Sequence, residues 1–152
     1  MAGEVIGYDC KLFYNSATNA SPTWVEITNA VDVSMNIDKN YGNVSSRASG
    51  WKKNKAALKD LSISFGYRYK QGVTDAVFDV LRAAAIANTQ LQLWVADGAS
   101  ATTGTEGISA YYDLTMGQEQ PLEDGVMIPF EGKHVVFYES GSMVEPTWKQ
   151  VS

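Results

Sequence analysis

Strict alternation of apolar and polar side chains limits this chain more than any other feature. In VDVSMNI, Val31, Val33, Met35 and Ile37 alternate with Asp32, Ser34, Asn36 and Asp38, and in LSISFGYRY the residues Leu61, Ile63, Phe65, Tyr67 and Tyr69 share one side. A period of two sets one side of a strand on a core and the other in water, so both segments are expected to be strands. KLFY (11–14) and TWVEI (23–27) read the same way around NSATNASP, a turn-rich loop. LQLWVAD (91–97) alternates at Leu91, Leu93 and Val95, and ISAYYDLTM at Ile108, Ala110, Tyr112, Leu114 and Met116. PLEDGVMIPFE and KHVVFYE add two strand-like segments, with Glu123-Asp124-Gly125 as a turn and Pro121 and Pro129 suggesting strand starts or sheet edges. SPTWVEIT (21–28) and EPTWKQVS (145–152) echo each other as similar strand starts, but no fixed period runs through the chain.

One segment changes period. VTDAVFDVLRAAAIANT (73–89) follows Gly72 and places Val77, Phe78, Leu81, Ala84 and Ala85 at helical spacing. A helix over about 74–88 is expected, with Thr74 as N-cap, Asp75 in the first turn and Asn88 or Thr89 at the end. With 152 residues and 45% hydrophobic content, the chain can bury one core, so residues 1–152 are read as a single domain. The fold class is mainly β: seven to nine strands in an antiparallel β-sandwich or barrel, with one flanking α-helix.

Between the two clearest strands lie about twenty residues without periodicity, roughly 40–59, read as a long loop of the sort that is usually functional or disordered. SSRASGWKKNKAALKD (45–60) carries Arg47, Lys52, Lys53, Lys55 and Lys59, five of the chain's twelve basic residues, in a protein of net charge −5. Residues 39–70 hold eight bases and one acid, a net of +7, which leaves −12 for the remainder. Such a basic segment on an acidic body is suited to another acidic body, and an identical copy is the nearest one. Head-to-tail contacts of this kind close into rings or run on as filaments.

The residues offer little for catalysis. His134 lies in a strand-like segment, no Gly-x-Ser-x-Gly elbow is present, and Cys10 with His134 is too small a set for zinc. There is no Asp-x-Asp-x-Asp-Gly run for calcium and no Gly-Lys-Ser/Thr ending after the glycines of DGASATTGTEG (97–107). No enzyme activity, metal or cofactor is therefore expected. The start of the chain, with Glu4 and Asp9, lacks a basic leader, no apolar run reaches membrane-spanning length, and the single cysteine cannot form an intrachain disulfide. No membrane association is expected, and a reducing compartment is the simpler reading.

Taken in order, KLFYNSATNASPTWVEITNAVDV, the segment SRASGWKKNKAALKDLSISF, the helix VTDAVFDVLRAAAIANTQLQLWVADG and the strand pair around MGQEQPLEDGVMIPFEGK resemble a tail tube protein, or major tail protein, of long-tailed, non-contractile bacteriophages. The resemblance spans nearly the whole chain. It implies a virion structural protein that self-assembles into homohexameric rings stacked as a hollow tube, with a long loop, about 40–59 here, reaching the neighbouring ring. It further implies an acidic lumen through which DNA passes without sequence-specific binding during genome ejection. The implied partners are copies of itself, a tape measure protein, a tail terminator and tail-tip proteins, and the implied locations are the virion tail and, during assembly, the host cytoplasm. On this reading Arg47, Lys52, Lys53, Lys55 and Lys59 belong to the inter-ring contact and Trp51 anchors it in an apolar pocket.

Other readings stay open on the residues alone. They are a tube protein of a contractile injection system, a carbohydrate-binding β-sandwich using Trp24, Trp94 or Trp148 as platforms, and a nucleic-acid-binding module in which Trp51 stacks bases beside Lys52, Lys53 and Lys55.

Overall fold

The computed structural model describes residues 11–69, 72, 74–117 and 127–152. Cys10, Lys70, Pro121 and the Glu123-Asp124-Gly125 turn lie outside them. In chain order the elements are β1 (Lys11–Asn15), β2 (Trp24–Glu26), β3 (Ala30–Asn43), β4 (Asn54–Arg68), α1 (Ala76–Ile86), β5 (Leu91–Ala96), β6 (Glu106–Met116), β7 (Met127–His134), β8 (Phe137–Glu139), β9 (Ser142–Val144) and β10 (Thr147–Gln150). Among the described residues the architecture is mainly β, antiparallel, with one helix, as the alternation and the single helical segment predict.

An eight-stranded sheet runs in the order β2-β1-β5-β6-β7-β4-β3, with β10 added beside β6, and β8-β9 form a separate hairpin. β6 is the shared strand. Its first half pairs β10 (Trp148 opposite Ile108), its middle pairs β5 (Leu93 opposite Ala110), and its second half pairs β7 (Leu114 opposite Gly132). The strands at the two ends of the order, β2 and β3, are consecutive in the chain, so the sheet has to curl until they approach. Backbone bonds secure that corner: Ile27 N–H donates to Leu12 O at 2.8 Å, and Arg68 N–H donates to Asn29 O at 3.0 Å.

The alternation decides the core. Leu12 and Tyr14 of β1, Leu61, Ile63, Phe65 and Tyr67 of β4, Leu93 of β5, Tyr112 and Leu114 of β6, and Phe130 of β7 join Phe78, Leu81 and Ala84 of α1 in one buried cluster. On the other side of the sheet, Phe13 and Trp24 each lie 5.3 Å from Trp94, and Lys149 Nζ sits 5.7 Å over the Trp24 ring. β3 departs from the reading in one respect. A bulge between Val31 and Ser34, where Asp32 has φ 53°, puts Val31 opposite Gly66 and so on the other side from Met35 and Ile37.

Pro129 is not at a sheet edge, because β7 lies between β4 and β6. The strand tolerates it because its carbonyl accepts from Gly117 N–H, just past the end of β6 at Met116. N–H and C=O of one strand residue point the same way, so the hydrogen that proline lacks would also face the place where the ladder has run out.

The helix is capped by Asp75 instead of Thr74. One carboxylate oxygen accepts from Val77 and Phe78 N–H at 3.1 and 3.3 Å, and the other accepts from the Tyr67 hydroxyl. A carboxylate can serve both donors at once, which a threonine hydroxyl in the cap could not. Asn88, at φ 55°, ends the helix in the left-handed conformation, and Thr89 N–H returns to Ala84 O at 3.2 Å.

Burial, then the hydrogen bond to Asp75, pushes the Tyr67 phenol up to about 12. Burial also acts to raise Asp75, but the Tyr67 hydroxyl and the backbone N–H groups of Phe78 and Val77 outweigh it and hold the carboxyl below its ordinary value. Tyr67 therefore contributes stability fully below about pH 10 that is lost as pH rises to about 12. Asp75 contributes stability above about pH 4 that is lost as pH falls through its lowered pKa. The melting temperature is expected to drop on both sides of that window. Tyr67→Phe should remove part of the alkaline slope, leaving the share of Tyr111 and Tyr112, which burial also raises. An alkaline slope unchanged by the substitution would contradict this assignment.

Candidate assembly interface

Half of the segment read as a loop over about 40–59 is strand. β3 and β4 stay paired past the body of the protein, through Lys39 opposite Lys59, Tyr41 opposite Ala56, Gly42 opposite Lys55 and Asn43 opposite Asn54, so only residues 44–53 form the tip. Val44 N–H bonds to Lys53 O at 2.9 Å, and Lys53 N–H to the Ser45 hydroxyl at 2.7 Å, which squares off the turn. Beyond Leu61 every residue of this ribbon on β4 is exposed, as is every residue of β3 from Asn36 outward.

The ribbon is therefore an arm with water on both sides. Among the described residues its apolar side chains find no burying partner: Trp51 is 81% exposed, Leu58 78% and Tyr41 65%. Two neighbouring rungs set like charges directly opposite, Asp38 against Asp60 and Lys39 against Lys59. Like pairs in that geometry weaken a ladder, and a two-stranded ribbon alone is marginal in water.

Of the basic residues singled out in the sequence, Arg47, Lys52 and Lys53 lie in the tip with Trp51, and Lys55 and Lys59 lie on β4. Lys55 and Lys59 are not on one side. A bulge between Lys39 and Tyr41 gives β4 one extra residue, so Ala56 shares a side with Lys59 while Lys55 faces the opposite way.

The side of the β3-β4-β7-β6 sheet away from the core was not singled out from the sequence. Register puts Ser34 beside Ser64 and Glu131, Asn36 beside Ser62 and Lys133, and Asp113 and Thr115 next to Lys133 and Glu131. It is a surface of short polar and charged groups, continued outward by Asp38 and Asp60. The polar half of each alternating pattern is its sequence signal, once the strand order is known.

Among the described residues, no group of three or more His, Cys, Asp or Glu side chains could hold a metal ion. The proposed tryptophan platform is not assembled either: Trp94 is fully buried, Trp24 packs against it, and only Trp148 is exposed among those three. His134 ends β7 with Nδ1 at 3.1 Å from Tyr111 O.

No family model matches this chain, and no curated protein does. Solved structures do. The SPP1 tail tube is similar over 98% of this chain and 81% of its own, with a TM-score of 0.73 at 11% identity. The tail of an empty gene transfer agent particle with C6 symmetry matches over 91% of this chain and 96% of its own, with a TM-score of 0.62 at 13% identity. A chain of the anti-feeding prophage baseplate, 6-fold symmetrised, covers 99% of both chains at a TM-score of 0.52 and 8% identity. The fold is that of phage tail tube proteins.

The like-charged rung supplies a direct test of the arm. Lys39→Glu turns the pair with Lys59 into an opposite-charge pair, which should stabilise the ribbon by about 0.2–1 kcal/mol. Amide hydrogen exchange at Gly42 and Lys55, the hydrogen-bonded pair two residues from Val44 and Lys53, should slow severalfold, with the core unaffected; unchanged or faster exchange would mean that the rung does not limit the arm.

Proposed function

We propose that this chain is the structural subunit of a phage tail tube, six copies closing into a ring and rings stacking around a hollow bore that conducts DNA into the host. The observation that carries the reading is the long β3-β4 arm, exposed on both sides, on a body with the tail tube fold. An arm exposed along its length on both sides gains stability against a neighbour. Arg47, Lys52, Lys53, Lys55 and Lys59 supply its positive charge, and an identical copy supplies the negative body it meets.

The polar side of the β3-β4-β7-β6 sheet is the surface suited to the bore. Between the rungs Asp38/Asp60 and Ser34/Ser64, Asp38, Asp60, Asp113 and Glu131 outnumber Lys133, with Ser34, Asn36, Ser62, Ser64 and Thr115 among them, while Arg68 and Lys55 lie beyond its two ends. A net negative wall offers phosphates no fixed partner, so a polyanion can move along it. The tape measure, terminator and tip proteins are the further partners this role entails, the virion tail is its location, and the host cytoplasm is where it assembles. The reading is structural and involves no catalysis or cofactor. The likeness to the anti-feeding prophage baseplate chain supports a second version, a tube of a contractile system, which shares the ring architecture.

Negative-stain electron microscopy of the purified protein should show rings or hollow tubes as concentration rises. Lys52→Glu with Lys53→Glu should abolish stacking while the monomer stays folded by circular dichroism; tubes of normal length from that variant would remove the arm's assigned role. The bore assignment has its own test. Ser62→Lys with Ser64→Lys should leave tubes intact but make them retain DNA in low salt, with release as salt rises. Tubes of the variant that ignore DNA as the unaltered tubes do would place that surface outside the bore.

A further inference from the structure

Where the arm leaves the body, two adjoining grooves of about 360 and 290 Å³ open on the core side of β3 and β4, and both include Ile108. Their apolar floor is Met35, Ile37, Leu61, Ile108 and Pro146, with the 62% exposed ring of Trp148 at one margin. Three carboxylates lie around that floor, Asp97, Glu106 and Glu145, against one ammonium, Lys59. The arm tip has the converse pattern: the indole of Trp51, with Arg47, Lys52 and Lys53 close in sequence around it.

We infer that the groove at the arm base is the receptor for Trp51 of a second copy of this chain, with the basic tip residues facing Asp97, Glu106 and Glu145. The inference rests on the tail tube reading and deepens it by naming the surface that takes the arm. Size agrees: 360 Å³ is the space of roughly twelve waters, ample for a bicyclic side chain. Chemistry agrees as well, since the Trp148 ring stands where an incoming indole can stack, and its Nε1 donates to Glu106 Oε2 at 3.4 Å, leaving the ring face available. Charge agrees in sign: the tip carries three cations, and the groove, with three carboxylates and Lys59, is net negative.

Reach excludes the chain's own tip. Ile37 lines the groove and Val44 begins the tip; seven residues of extended strand at about 3.3 Å each hold the two roughly 23 Å apart. Trp51 thus finds this groove only on another subunit. The contact joins unlike surfaces, so it propagates from copy to copy.

Cysteine pairing tests it without removing the indole. In a Cys10→Ser background, Gly50→Cys places a thiol beside Trp51 at a position with open space around it, and Pro146→Cys places one at the groove. Assembled protein, oxidised and run under denaturing conditions, should give dimers and higher ladders that collapse on reduction, while either single variant gives monomer. In parallel, Trp51→Ala should raise the concentration needed for assembly by roughly 30-fold, as loss of a buried aromatic anchor does, and Glu145→Lys should raise it severalfold in low salt. Tubes that form normally but give no ladder, with Trp51→Ala assembling like the unaltered chain, overturn this docking and leave the tube reading standing. A protein that forms no rings or tubes at any concentration or salt, alone or on an added tail-tip template, overturns both. Disulfides confined within monomers would show a tip folded back on its own body, and overturn the docking too.

Discussion

The short connection between β2 and β3 governs the shape of the whole molecule. Glu26 ends one strand and Ala30 begins the next, so the chain between them spans at most roughly 14 Å. Yet these strands sit at opposite ends of a seven-strand order, which laid flat would separate them by about 29 Å. The sheet has no option but to curl. Curling brings β1 and β4 around one cluster, encloses Tyr112 and Phe130 completely, and leaves α1 to cover the opening with Phe78 and Leu81. The shared strand β6 makes the bend possible, handing its pairing partner from β10 to β7 partway along.

The same closure explains the arm. A curled sheet can bury β3 and β4 only over the length that faces the core, which ends near Ile37 and Leu61. The strands nevertheless continue for several more rungs. Continuation beyond the core stabilises nothing in the isolated subunit, and the rungs at Asp38/Asp60 and Lys39/Lys59 oppose it. Such a conflict between local structure and subunit stability is expected where a surface is shaped for a partner.

Much of this was legible in the sequence, for a physical reason. Leu61 to Tyr67 keep an unbroken period because one side of β4 is core along its whole inner half, and Phe78, Leu81 and Ala84 keep helical spacing because α1 lies on that core. The outer ribbon carries no such signal, because periodicity records burial on one side, and Asn40 to Asn43 and Asn54 to Lys59 are wet on both. Alternation alone sets Val31 beside Met35, because nothing in VDVSMNI announces the bulge at Asp32. The basic tip was visible as composition, whereas its receiving groove was not, since Ile37, Ile108 and Pro146 meet only after folding. Asp75 instead of Thr74 as cap depended on Tyr67, eight residues earlier on another element.

The like-charged rungs have a kinetic side. Two free subunits must each order a reluctant ribbon before either gains from the other, whereas a subunit arriving at an existing stack finds a receiving surface already fixed. In the proposed tube, this difference makes the first contact slow and each later one fast, so growth begins where a template stands and proceeds from its end. In such a tube a surface already in place would shorten the lag that free subunits must cross on their own.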